Sequence, residues 1–122
     1  MKTILLVVSA LLLAAPAMAQ HAHQKGPNGG PMEDVAGVHV EMIAAGKVLT
    51  FNILDEVNKP LPTSGFSGAV LLTSGSDRET LPLVTSGTAL TAEAKSDIAK
   101  GASVSVTLKT AAGKSGQARF KN

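Results

Sequence analysis

From Val38 to the end of the chain, hydrophobic and polar residues alternate with a period of two, the spacing that sends successive side chains to opposite faces of a strand. In VHVEMIA, Val38, Val40, Met42 and Ala44 fall on one face, and His39, Glu41 and Ile43 on the other. Ala45-Gly46-Lys47 marks a hairpin turn, and VLTFNILD returns with Leu49, Phe51 and Ile53 on one face. Asn58-Lys59-Pro60 breaks the pattern. Beyond the linker PLPTSGFSG, the runs AVLLT, RETLPLV, TALTAEA, SVSVTLK and GQARFK repeat it, with turn residues between them. Seven short strands without an amphipathic helix predict an all-β fold, an antiparallel β-sandwich of immunoglobulin-like type. SDIAKGAS, Ser96 to Ser103, reads as a corner where the chain crosses between sheets.

The N-terminus follows a different rule. One cation, Lys2, precedes an apolar stretch from Ile4 to Ala15 broken only by Ser9, and Pro16 and the triplet Ala17-Met18-Ala19 follow. This is the pattern of a secretory signal peptide cleaved after Ala19. The stretch is shorter than the roughly 20 residues that span a bilayer, and it ends in a helix breaker. The expected organisation is a signal peptide over 1–19, a flexible His- and Gly-rich arm over 20–31, and a β-sandwich domain over 32–122, located in the periplasm. The arm holds too few apolar residues to order itself.

Composition narrows the chemistry. The formal net charge of +2 falls by one when Lys2 is removed, which argues against nucleic acid and against an electrostatic membrane binder. The chain contains no cysteine, so disulfides, thiolate nucleophiles and thiolate-lined metal sites are excluded. It contains no tryptophan or tyrosine, which removes base-stacking platforms and the usual aromatic anchors of protein interfaces. No serine lies in a G-x-S-x-G elbow, and GPNGGP lacks the lysine and hydroxyl of a phosphate loop. The carboxylates of GSDRE, Gly75 to Glu79, read as a solvated hairpin tip. The sequence points to no enzyme.

Histidine is then the best transition-metal ligand available. In AQHAHQKGPNGGP, His21 and His23 stand at i and i+2, which in an extended arm places both on one side, about 7 Å apart. Two neutral imidazoles so placed suit copper, nickel or zinc. Cleavage after Ala19 adds the amine of Gln20, one residue before His21, unless Gln20 cyclises. His39 and Glu41 share a strand face and present one nitrogen and one carboxylate oxygen. Gly29-Gly30, between Pro27 and Pro31, offers a place for the arm to fold back over that strand. The expected ligands are His21, His23, His39 and Glu41; Met32 and Met42 are possible soft sulfur ligands for Cu(I), although Met42 shares the core face of Val38 and Val40.

The run HAHQKGPNGGPMEDVAGVHVEM, followed by a hairpin ending in ILDEVNKPL, resembles a group of small exported bacterial proteins and the related segments of periplasmic heavy-metal efflux adaptors. In these a His-containing arm and a G-P-x-G-G turn precede an x-H-x-E strand. The resemblance covers roughly the first half of the mature chain. It implies a periplasmic β-sandwich concerned with heavy-metal handling, with His21, His23, His39 and Glu41 at the matching positions and an efflux-system component as partner. The family's turn often carries histidine where this chain has Asn28, one imidazole fewer. The alternative expectation is a metal-independent envelope interaction module that binds its partner through strand edges or loops.

Overall fold

The computed structural model describes residues 24–122; residues 1–23, which hold the expected signal peptide, His21 and His23, lie outside the described residues. Ten strands follow one another: β1 (Gln24–Lys25), β2 (Pro31–Val35), β3 (Val38–Ala45), β4 (Val48–Leu54), β5 (Ser67–Ser74), β6 (Asp77–Pro82), β7 (Val84–Ser86), β8 (Ala89–Glu93), β9 (Ser103–Lys109) and β10 (Ser115–Lys121). They form two antiparallel sheets, one in the order β1-β2-β3-β4-β8-β7 and one in the order β10-β9-β5-β6. The described residues contain no helix, and so none long and apolar enough to cross a membrane.

The alternation read from the sequence decides which face of each strand is buried. Val40 and Met42 from β3, Leu49, Phe51 and Ile53 from β4, and Leu90 and Ala92 from β8 supply one wall of the core. Val70 and Leu72 from β5, Val104, Val106 and Leu108 from β9, and Phe120 from β10 supply the other. The rings of Phe51 and Phe120 meet between the sheets, centroids 5.9 Å apart and tilted by 54°. Each such side chain contributes about 1.5–3 kcal/mol on burial, so the paired inner faces are what hold the two sheets together. Met42 fills this core with 2% of its surface exposed, as its face predicts.

All seven expected strands are present, together with three that the alternation hides. β2 reads PMEDV, and its adjacent carboxylates mask a strand whose Val35 nevertheless reaches the core. Val35 pairs with Val38, which leaves Ala36-Gly37 as a two-residue turn with φ of 51° and 86°. That is the left-handed pair a tight hairpin turn of this twist requires, and Ala36 adopts it against its Cβ. The run RETLPLV is two strands. β6 stops at Pro82, Leu83 N donates to Gly68 O (3.1 Å), and the chain then changes sheet to pair as β7 with β8. Ser96 to Ala102 is the expected corner, leading from β8 in one sheet to β9 in the other.

Candidate functional site

The turn GPNGG is a hairpin between β1 and β2. Gly26 N donates to Gly30 O (2.7 Å) and Gly29 N to Gly26 O (3.0 Å), with Gly29 at φ 82°. Pro27 and Asn28 occupy the central turn positions, proline supplying a preset φ and Gly29 the left-handed residue that follows. Gln24 and Lys25 pair with Met32 and Pro31. Part of the expected arm, residues 24–31, thereby forms an edge of the first sheet.

The loop closes over the outward face of β3, where it receives Glu41. Asn28 N and Gly30 N donate to Glu41 Oε2 at 2.8 and 3.0 Å, and Asn28 Nδ2 donates to Oε1 at 2.8 Å. Glu41 is wholly buried, and the described residues leave no buried side-chain polar atom without a partner. Burying a carboxylate is costly unless donors replace its water. Here two backbone amides and one side-chain amide do so. Gly26 has no room for a side chain: a Cβ there meets the Glu41 carboxyl carbon. The motif G-P-N-G-G thus has a physical reading as a receptor for this chain's own carboxylate.

His39 shares the outward face with Glu41, as expected, but goes to other partners. Its Nε2 lies 3.1 Å from Asp34 Oδ1, its cross-strand neighbour on β2, and its Nδ1 lies 3.2 Å from Asn58 Oδ1. A neutral imidazole carries one N–H and one lone pair, so it donates to only one of these oxygens. Turning the Asn58 amide over matches its Nδ2 to the remaining lone pair. The His39 side chain is 23% exposed and that of Asp34 76%, so the pair opens to solvent. Asn58 sits in the left-handed region, φ 62°, in a loop pinned where Asp55 Oδ1 accepts from Val57 N and Lys59 N, each at 2.9 Å.

The structure therefore does not bring His39 and Glu41 together at one open point. Glu41 is enclosed by the hairpin, and His39 faces Asp34. Met32 is buried on the same outward face, across from Glu41. Among the described residues, no group of three or more His, Cys, Asp or Glu side chains stands close enough to hold a metal ion. Two residues outside the expected ligand set matter here. Asp34 was legible from V-A-G-V, whose two-residue turn puts Asp34 opposite His39. Asn28 was legible as a turn residue, but its double donation to Glu41 depends on how the hairpin folds over β3. The GSDRE tip is solvated at Asp77 and Arg78, while Glu79 Oε1 accepts Lys95 N (3.0 Å). Comparison with protein-family models, with curated proteins and with solved structures finds no match.

Proposed function

We propose that the chain is an exported periplasmic protein that binds a divalent transition metal, copper, nickel or zinc, on an immunoglobulin-like domain. Its role is metal buffering or delivery to an efflux-system component. His21 and His23 are the primary ligands, His39 completes the set, and Asp34 is the carboxylate nearest to it. Glu41 serves the site indirectly, by fixing the hairpin that starts the sheet.

The observation that carries this reading is the solvent-open pair of His39 and Asp34 on the outward face of the first sheet. β1 runs antiparallel to β2 with Gln24 opposite Met32. The N-terminal end of β1 therefore lies on the Asp34 side of its pairing with β2. His23 immediately precedes Gln24 in the sequence, so the two further histidines of the proposed ligand set adjoin β1 in the chain.

Calorimetric titration of the exported protein with each of the three metals tests the reading. Saturable binding is expected at neutral pH, weakening as the solution is acidified, because only neutral imidazole binds a cation. Replacing His21 and His23 together by alanine removes most of the affinity, and adding His39→Ala weakens what remains. Equal residual binding in the double and triple variants confines the ligands to 21 and 23. No saturable binding of any of the three metals ends the metal reading and leaves the interaction module.

A further inference from the structure

The second sheet presents a face of one sign. Alternation along its four strands is unambiguous, because Val70, Leu72, Leu81, Val104, Val106, Leu108 and Phe120 all point into the core. The residues between them point out. The outward set contains Arg78 on β6, Lys109 on β9, and Arg119 and Lys121 on β10, all exposed, and no carboxylate. Asp77 and Glu79 have the same strand parity as buried Leu81 and so do not belong to it. The remaining outward residues are mostly short hydroxyl side chains such as Ser103, Ser105 and Thr107, which leave the long cations standing above them.

The first sheet is the reverse. Its outward strand positions include the exposed carboxylates Asp34 and Glu93 and no lysine or arginine. A formal net charge of +2 for the chain therefore conceals a charge separation across the thickness of the domain. Arg119 and Lys121 stand two residues apart on one face of β10, roughly 7 Å, and the other two cations are spread from them by the register. Lys121, Ser103, Thr73 and Arg78 lie in one cross-strand row, so Lys121 and Arg78 are three strand spacings apart, roughly 14 Å. Lys109 lies six residues along the β9–β10 ladder from the Lys121 row, roughly 20 Å away.

We infer that this face docks on an anionic lipid surface. Four cations spread over a rigid sheet match a plane of headgroup phosphates, in which negative charge is available wherever a cation lands. A nucleic acid would offer its phosphates along a line and would call for a basic stripe with stacking residues, which this face lacks. Near an anionic membrane surface each lysine or arginine raises partitioning about fivefold, so four give an increase of order several hundredfold at low ionic strength. Docking in this orientation turns His39 and Asp34 away from the lipid, toward solvent.

Co-sedimentation of the exported protein with vesicles provides the test. Vesicles containing phosphatidylglycerol should retain it in low salt and release it in half-molar salt, and vesicles of phosphatidylcholine should not retain it. Arg119→Glu with Lys121→Glu should lower partitioning at least 20-fold. Lys47→Glu with Lys59→Glu, the same change in net charge made in turns of the first sheet, should lower it less than threefold. Circular dichroism checks each fold; should the β10 pair unfold, Arg78→Gln with Lys109→Gln carries the same comparison and should cost about 20-fold. Millimolar inorganic phosphate should not displace the protein, since no single phosphate spans the face. Equal binding to both vesicle types, equal loss in the two charge-reversed variants, or full displacement by phosphate overturns the inference.

Discussion

Replacing Glu41 by alanine removes the carboxylate that three N–H groups of the GPNGG hairpin address. The lost bonds are charge-assisted and part-buried to buried, at 2.8, 2.8 and 3.0 Å. At roughly 1.5–3 kcal/mol each they amount to a gross loss of about 4.5–9 kcal/mol. Two terms reduce it. The hairpin is at a sheet edge and can swing into water, and the variant no longer carries the several kcal/mol that burying a carboxylate costs. A net destabilisation of about 2–4 kcal/mol follows, equivalent to a fall in Tm of about 10–20 °C for a domain of this size. Glu41→Gln separates acceptor geometry from bulk. The glutamine oxygen can take both backbone amides, and its amide can donate to Asn28 if that side chain turns over, so this variant should lose only about 1 kcal/mol. Glu41→Met keeps the volume but offers no comparable acceptor, and should resemble the alanine variant. Thermal and urea denaturation followed by circular dichroism gives the order, and hydrogen exchange at Asn28 and Gly30 localises it. An alanine variant that melts within a degree of the wild type, or a methionine variant as stable as the glutamine one, would falsify the account of the hairpin.

Gly26→Ala attacks the same contact from the other side, because its methyl group meets the Glu41 carboxyl carbon; a loss of about 2–3 kcal/mol is expected. Combined with Glu41→Ala it should add little, which a double-mutant cycle in urea measures. Ala36→Gly should stabilise, by about 0.5–1 kcal/mol, since Ala36 holds φ 51° in the β2–β3 turn; calorimetry should show a Tm several degrees higher.

The strands from β3 onward were legible because one face of each is buried and the other wet, which prints a period of two into the sequence. β2 escaped that reading. Its outward Met32 is buried under no rule that periodicity supplies, while Glu33 and Asp34 interrupt the apolar positions. The split between β6 and β7 was hidden because Leu81 and Leu83 continue the alternation straight through the change of sheet. At the candidate site, the shared face of His39 and Glu41 was legible, and their different fates were not. Those depend on the Asn28 amide and on the loop at Asn58, which contact β3 from 13 and 19 residues away in sequence. The cationic face was illegible for another reason. Net charge is a sum over the chain, whereas adhesion depends on which residues share a side, and that requires register.

The groove beside β10 is lined both by Gln24 and Lys25, where the described chain begins, and by Phe120 and Lys121, almost its last residues. The first and the last described strands therefore adjoin one groove, with β2 packed along β10. Such an arrangement makes the order of the strands in sequence separable from their order in space. A short linker joining the two ends, with new termini opened at the exposed Gly75-Ser76 hairpin tip, should give a circular permutant that keeps every strand pairing. By the same geometry the whole domain can be carried as an insert in a surface loop of a host protein, entering and leaving through neighbouring points and disturbing the host little.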